Sequence, residues 1–208
     1  MSTRVTAAVE RALDERHREA SDEVERILAA AITVMERVAP DAPRVGDIVD
    51  EAGSSKKAFY KYFAGKDELL LAVMERGVAI IVSYLEHQMA KETRPRDKVV
   101  RWIEGTLAQV ADPGLVSMSR AVMTQMSASA RTGSDDDIMA PMRDLLVEPV
   151  TALGGPDPLR DADAVFQITA ATLRSYVGSG GQPSTDDIDH MVRFCLGGLG
   201  VTREDESR

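Results

Sequence analysis

Residues 51–70 read EAGSSKKAFYKYFAGKDELL. Two short helical patterns flank the break at Gly53-Ser54-Ser55. Lys56, Lys57, Lys61 and Lys66 are interleaved with Phe59, Tyr60, Tyr62 and Phe63, and no acid lies between Ala52 and Lys66. At about 100° per residue with Phe59 as origin, Phe63 falls at about 40° and Tyr62 at about −60°, while Tyr60, Lys57 and Lys61 fall at about 100°, 160° and 200°. The spacing predicts a short helix from about Lys56 to Phe63 that buries its phenyl side and turns a Lys-Tyr-Lys surface to solvent. Ser54 and Ser55 are placed to cap it, and their hydroxyls, with the first-turn N–H groups and the adjacent Lys56, form a phosphate contact.

Upstream, Val24, Ile27, Leu28, Ala31, Met35 and Val38 recur at helical spacing. Ser21 followed by Asp22 and Glu23 reads as the N-cap of that helix, which should stop near Ala39-Pro40. A second helix is expected from about Val45 to Ala52. Three short helices with a glycine-containing turn before the last are the helix-turn-helix arrangement, whose final helix enters the DNA major groove. Residues 4–19 hold four arginines and four acids. Pairs such as Arg11 with Glu15 and Asp14 with Arg18 favour a solvated helix over a DNA-reaching arm, the other reading of this extension.

Downstream, Lys66-Asp67 opens a long helix through Leu70, Val73, Met74, Ile81 and Leu85 that should end before Pro95. Further helices are expected at about 96–110, 115–131, 135–152, 158–177 and 185–199, separated by Asp112-Pro113-Gly114, Gly154-Gly155-Pro156 and Gly178-Ser179-Gly180-Gly181. No segment reads as a strand. The expected fold is therefore all-α: an N-terminal extension (1–20), a helix-turn-helix DNA-binding domain (21–66) and a helical regulatory domain for ligand binding and dimerisation (67–208).

The 208 residues, 44% hydrophobic and 28% charged, suffice for genuine cores. The net charge of −9 opposes a nucleic-acid partner on its face, but its distribution does not. Residues 1–66 carry 11 lysines and arginines against 12 acids, and residues 67–208 carry 14 against 22, so a compact basic spot stands on an acidic body. No apolar run approaches the roughly 18 residues of a membrane span, and the N-terminus lacks the apolar centre of a signal peptide. A cytoplasmic protein is expected. The lone Cys195 excludes an internal disulfide framework and any multi-cysteine metal site.

Catalysis finds little support. His17, His87 and His190 are far apart in sequence, and no HExxH, GxSxG or phosphate-loop spacing occurs. Gly197-Gly198-Leu199-Gly200 follows a helix instead of a strand, which fails the dinucleotide context. Asp135-Asp136-Asp137 after Ser134 reads as an acidic helix start more simply than as a cation site. No enzyme, cofactor or metal is expected.

ILAAAITVMERV (27–38) and VGDIVDEAGSSKKAFYKYFAGKDELLLAV (45–73) together resemble the tetracycline-repressor-like (TetR) transcriptional regulators. The resemblance implies that Tyr60 and Lys66 touch phosphates, that Lys57 and Lys61 face the groove, and that Ser55 is the family's capping serine. Four positions depart from the family pattern. Pro43-Arg44 replaces a threonine pair, making Arg44 a charged contact in place of a hydroxyl; Ser54 replaces a small aliphatic residue; and Lys57 stands where a small residue is common.

In the C-terminal part, Met118, Met123, Met126, Met139 and Met142 accompany Trp102 and Tyr176. Adaptable thioethers suit a pocket for varied apolar ligands, and they also suit an ordinary core. Pro141 and Pro149 should kink or interrupt their helix and open space. The resemblance implies an inducer pocket here, with Arg120, Gln125 and Arg143 as polar anchors. Ile188, Met191, Val192, Cys195, Leu196 and Leu199 form one stripe that, with Phe166 and Leu173, either completes a core or, as the resemblance implies, makes a dimer interface. The expected function is a ligand-responsive repressor that binds a palindromic DNA operator as a homodimer and is released by an apolar or amphipathic effector. Two rivals stay open: a helix-turn-helix scaffold acting through protein contacts without DNA, and an all-helical enzyme.

Overall fold

The computed structural model describes residues 3–38, 41–111 and 134–201. All regular structure among them is helical. The chain divides into two compact units, Met1–Val73 and Met74–Arg208, so the division falls within a helix, beyond Lys66.

The first unit holds α1 (Thr3–Val38), α2 (Val45–Glu51), α3 (Lys56–Tyr62) and the start of α4 (Lys66–Met89). α1 does not begin at Ser21, as its N-cap pattern suggests, but runs through it. An N-cap needs non-helical backbone, and residues 3–20 contain no glycine or proline to supply a break; their alternating charges support helix instead. The extension and the first helix of the helix-turn-helix are thus one rod. Its buried face, Ile27, Leu28, Ala30, Ala31, Val34 and Met35, matches the expected periodicity. Ile48 and Val49 of α2, Phe59 and Phe63, and Leu69, Leu70 and Val73 of α4 are likewise buried. Burial of each large side chain contributes roughly 1.5–3 kcal/mol.

Gly53 ends α2 with φ +60°, a left-handed conformation that side chains other than glycine resist. The N–H of Ser54 donates to the Val49 carbonyl (2.9 Å) and that of Gly53 to the Asp50 carbonyl (3.2 Å), the double closure of a Schellman motif. This turn fixes where α3 leaves α2.

The second unit holds the rest of α4, then α5 (Pro95–Ala108) with a 3-10 turn at Gln109–Ala111, α6 (Ser134–Asp144), α7 (Val147–Ala152), α8 (Pro158–Ser179) and α9 (Thr185–Gly198). The helix expected at 115–131 lies outside the described residues. The one expected at 135–152 is two, with a turn at Leu145-Leu146. Pro149 supplies the reason, since it has no N–H for the Leu145 carbonyl and its ring would clash with that carbonyl. α4 stops at Met89, and Pro95 instead opens α5 at its first turn. α8 is capped by Asp157, which accepts from the Arg160 N–H, and ends at Gly180 with φ 71°. A capping box joins Ser184 and Asp187 at the start of α9.

Trp102 and Ile103 on α5, Leu146, Val150 on α7, and Ala162 and Val165 on α8 form the core of this unit. The indole N–H of Trp102 donates to the Met142 carbonyl (3.0 Å), fixing α5 to α6. A Cβ on Gly105 would stand 2.7 Å from Leu85 Cδ2, so a larger residue there would displace the Leu85 side chain.

Candidate nucleic-acid interface

Phe59 and Phe63 anchor α3, with ring centroids 5.6 Å apart, and the edge-on ring of Tyr60 packs 5.2 Å from Phe59. That leaves Lys56, Lys57, Tyr60 and Lys61 exposed on the opposite side. Ser55 is the N-cap, its Oγ accepting from the Ala58 N–H at 3.1 Å. Arg44 is exposed at the N-cap position of α2 and makes no side-chain cap bond. Lys66 is half-buried at the first residue of α4.

Two of the expected contacts, Ser54 and Lys61, are engaged within the protein. The Ser54 hydroxyl donates to Glu23 Oε1 (3.2 Å), and the Tyr62 hydroxyl donates to Glu23 Oε2 (2.9 Å). Lys61 Nζ in turn donates to the Tyr62 hydroxyl (2.7 Å) and lies 4.5 Å from the centre of the Tyr62 ring. The bond to Tyr62, with Glu23 and Glu19 nearby, raises the Lys61 ammonium above the ordinary lysine pKa. Glu23 was read from sequence only as part of an acidic helix start. Its partners lie 31 and 39 residues away, beyond any local pattern.

Among the expected ligand residues, Met118, Arg120, Met123, Gln125 and Met126 lie outside the described residues. Trp102 and Met142 are buried, with the Trp102 donor already engaged; Met139 and Arg143 are half-buried, and Arg143 lies 3.5 Å from Asp144. Partial desolvation and the bond to Asp187 push the Tyr176 phenol above its ordinary pKa. Ser184 and then Tyr176 hold the Asp187 carboxyl below the usual range. The unforeseen polar groups are Thr106 and Gln109. They are 1% and 8% exposed, and among the described residues neither Thr106 Oγ1 nor Gln109 Nε2 has a partner. Thr33, Thr151, Thr169 and Thr172 each donate to the carbonyl four residues earlier, whereas Thr106 does not.

The expected dimer residues also separate. Phe166, Cys195 and Leu196 are buried within a single chain, while Leu173, Ile188, Met191, Val192 and Leu199 are half-buried. Phe166 packs 6.2 Å from Trp102, and burial raises the pKa of the Cys195 thiol. Those three therefore serve the protomer's own core. The large apolar side chains left outside on these helices are Ile168 at 36% and Phe194 at 59% exposure, together with Leu159 at the start of α8.

Among the described residues, no helix is long and apolar enough to cross a membrane. Residues 27–73 match the model of the bacterial regulatory proteins of the tetR family. The HTH-type transcriptional regulator YvdT of Bacillus subtilis is 38% identical over 58 residues, covering 28% of this chain and 30% of that regulator's length. A TetR transcription regulator from Haloarcula marismortui shares the fold with TM-score 0.68 at 16% identity, over 88% of this chain and 98% of its own. FadR from Bacillus subtilis, solved in complex with stearoyl-CoA, does so with TM-score 0.64 at 15% identity, over 85% and 96%. Over residues 27–73, then, the chain is similar to the bacterial regulatory proteins of the tetR family.

Proposed function

We propose that this regulator is a cytoplasmic repressor that binds a two-fold symmetric operator as a homodimer and is released by a small apolar or amphipathic effector. The carrying observation is the exposed Lys56-Lys57-Tyr60 face of α3, held out by buried Phe59 and Phe63. Lysines so placed meet phosphates and base edges, and Arg44 and Lys66 add charge beside them. In this reading residues 21–66 read DNA, and residues 67–208 bind ligand and dimerise. Two copies are needed because one short helix reads too few bases for useful specificity.

The effector reading draws on Thr106 and Gln109, whose unpartnered polar atoms are buried on α5 and the turn after it. Both groups can donate. A ligand that is mostly hydrocarbon with a hydrogen-bond acceptor fits that chemistry; the stearoyl-CoA bound by FadR is of this amphipathic class.

The test is selection of DNA fragments by the purified protein, followed by sequencing. A recovered palindrome whose binding weakens in Lys57→Ala supports operator recognition by a dimer. Failure to enrich any sequence, or enrichment indifferent to Lys57, overturns it.

A further inference from the structure

The Glu23 carboxylate receives the turn before α3 through Ser54 and the last residue of α3 through Tyr62, and Tyr62 holds Lys61. Only Lys61, of the three lysines on α3, is joined to an acid through this chain of hydrogen bonds. The Tyr62 hydroxyl has one proton, which goes to Glu23, so its oxygen is free to accept from Lys61. Removing the carboxylate's charge weakens each link, because hydrogen bonds to ionised groups are about twice as strong as neutral ones.

We propose that Glu23 is a positioning residue of the DNA-reading surface: it clamps α3 at both ends and, through Tyr62, withholds Lys61 from phosphate until DNA displaces it. This rests on α3 being the DNA-facing helix. Glu23 thereby sets how much of the Lys61 charge is available to DNA. A lysine already balanced by a carboxylate contributes less than its full share to counterion release, which is worth a slope of about 0.9 per phosphate neutralised.

Two arms test this. In the DNA-free protein, acetic anhydride labelling read residue by residue should modify Lys61 several-fold more slowly than exposed Lys57. Glu23→Gln and Tyr62→Phe should each bring Lys61 towards the rate of Lys57. Tyr62→Phe keeps the ring and leaves the Ser54–Glu23 bond, so it remains informative if Glu23→Gln perturbs folding. In operator binding, Glu23→Gln should steepen the salt slope by up to about 0.9, and this change should vanish when both proteins also carry Lys61→Ala. Equal labelling of Lys61 and Lys57 in the wild type overturns the proposal. So does a salt-slope change that persists without Lys61, since Glu23 would then act only as a distant charge. The labelling arm requires no DNA, so its failure is distinct from failure of the operator-binding function.

Discussion

Phe194→Asp and Leu196→Asp lie two residues apart on α9 and should fail in different ways. Phe194 is 59% exposed in the single chain, whereas Leu196 is 4% exposed. Fully burying a phenylalanine is worth about 1.5–3 kcal/mol, so the part of Phe194 still open to solvent can contribute roughly 1–2 kcal/mol when a partner covers it. A two-fold interface counts this twice. In the proposed homodimer, Phe194→Asp should therefore cost about 2–4 kcal/mol of association and raise the dissociation constant about 30- to 700-fold, with little effect on the protomer's fold. Leu196→Asp instead removes a core side chain, worth about 2–5 kcal/mol, and buries a carboxylate; it should unfold the unit. Sedimentation equilibrium from nanomolar to micromolar protein, with circular dichroism of the same samples, separates the two. The reasoning is refuted if Phe194→Asp and Ile168→Asp both leave the dissociation constant unchanged, or if Leu196→Asp gives folded monomers.

Thr106→Val should stabilise the ligand-free protein by about 1 kcal/mol, raising Tm by about 2–4 °C, because it removes a buried hydroxyl that has no partner among the described residues; a lower Tm would mean that the hydroxyl is satisfied. The same change should weaken binding of acceptor-bearing amphiphiles, measured by calorimetry. Gly53→Ala should cost about 1–2 kcal/mol in urea denaturation through its positive φ, although no atom obstructs the new methyl. Gly46→Ala, equally open but inside α2, should stabilise by about 0.4–1 kcal/mol. Asp187 has a lowered pKa in the folded state, so its contribution is present above the unfolded carboxylate value and lost as pH falls through the folded one. Asp187→Asn should accordingly lower Tm at neutral pH and narrow the gap to wild type under acid.

The legible parts of this sequence were those whose physics is local. Phe59, Phe63 and the break at Gly53 lie within a few residues of one another, and the helical period alone places two buried rings opposite exposed Lys57 and Tyr60. Ser21 misled because a capping pattern is also local, whereas continuation of α1 depends on the absence of any breaker over the preceding turns. The turn at Leu145-Leu146 was half-visible: Pro149 announced an interruption, but not that it would fall four residues earlier. Glu23 could not be assigned because its carboxylate acts across the fold. Periodicity found the stripe through Cys195 and Leu196 without saying what covers it, and α5 and α8 of the same chain do.

Any effector of this protein has to act through a difference between states, and the division of the chain bears on how. α4 contributes Leu69, Leu70 and Val73 to the first unit and Val78, Leu85 and Met89 to the second. It is continuous helix from Lys66 to Met89, with residues in both units. A ligand satisfying Thr106 and Gln109 stabilises whichever conformation it fits, but shifts operator affinity only by the ratio of its affinities for the operator-bound and free conformations. Coupling of about 1–3 kcal/mol corresponds to about a 5- to 150-fold loss of operator affinity, and saturating operator must weaken ligand binding by the same factor. Tm alone therefore does not identify an effector: a compound that raises it without that reciprocal penalty occupies the body while leaving the DNA-reading surface indifferent.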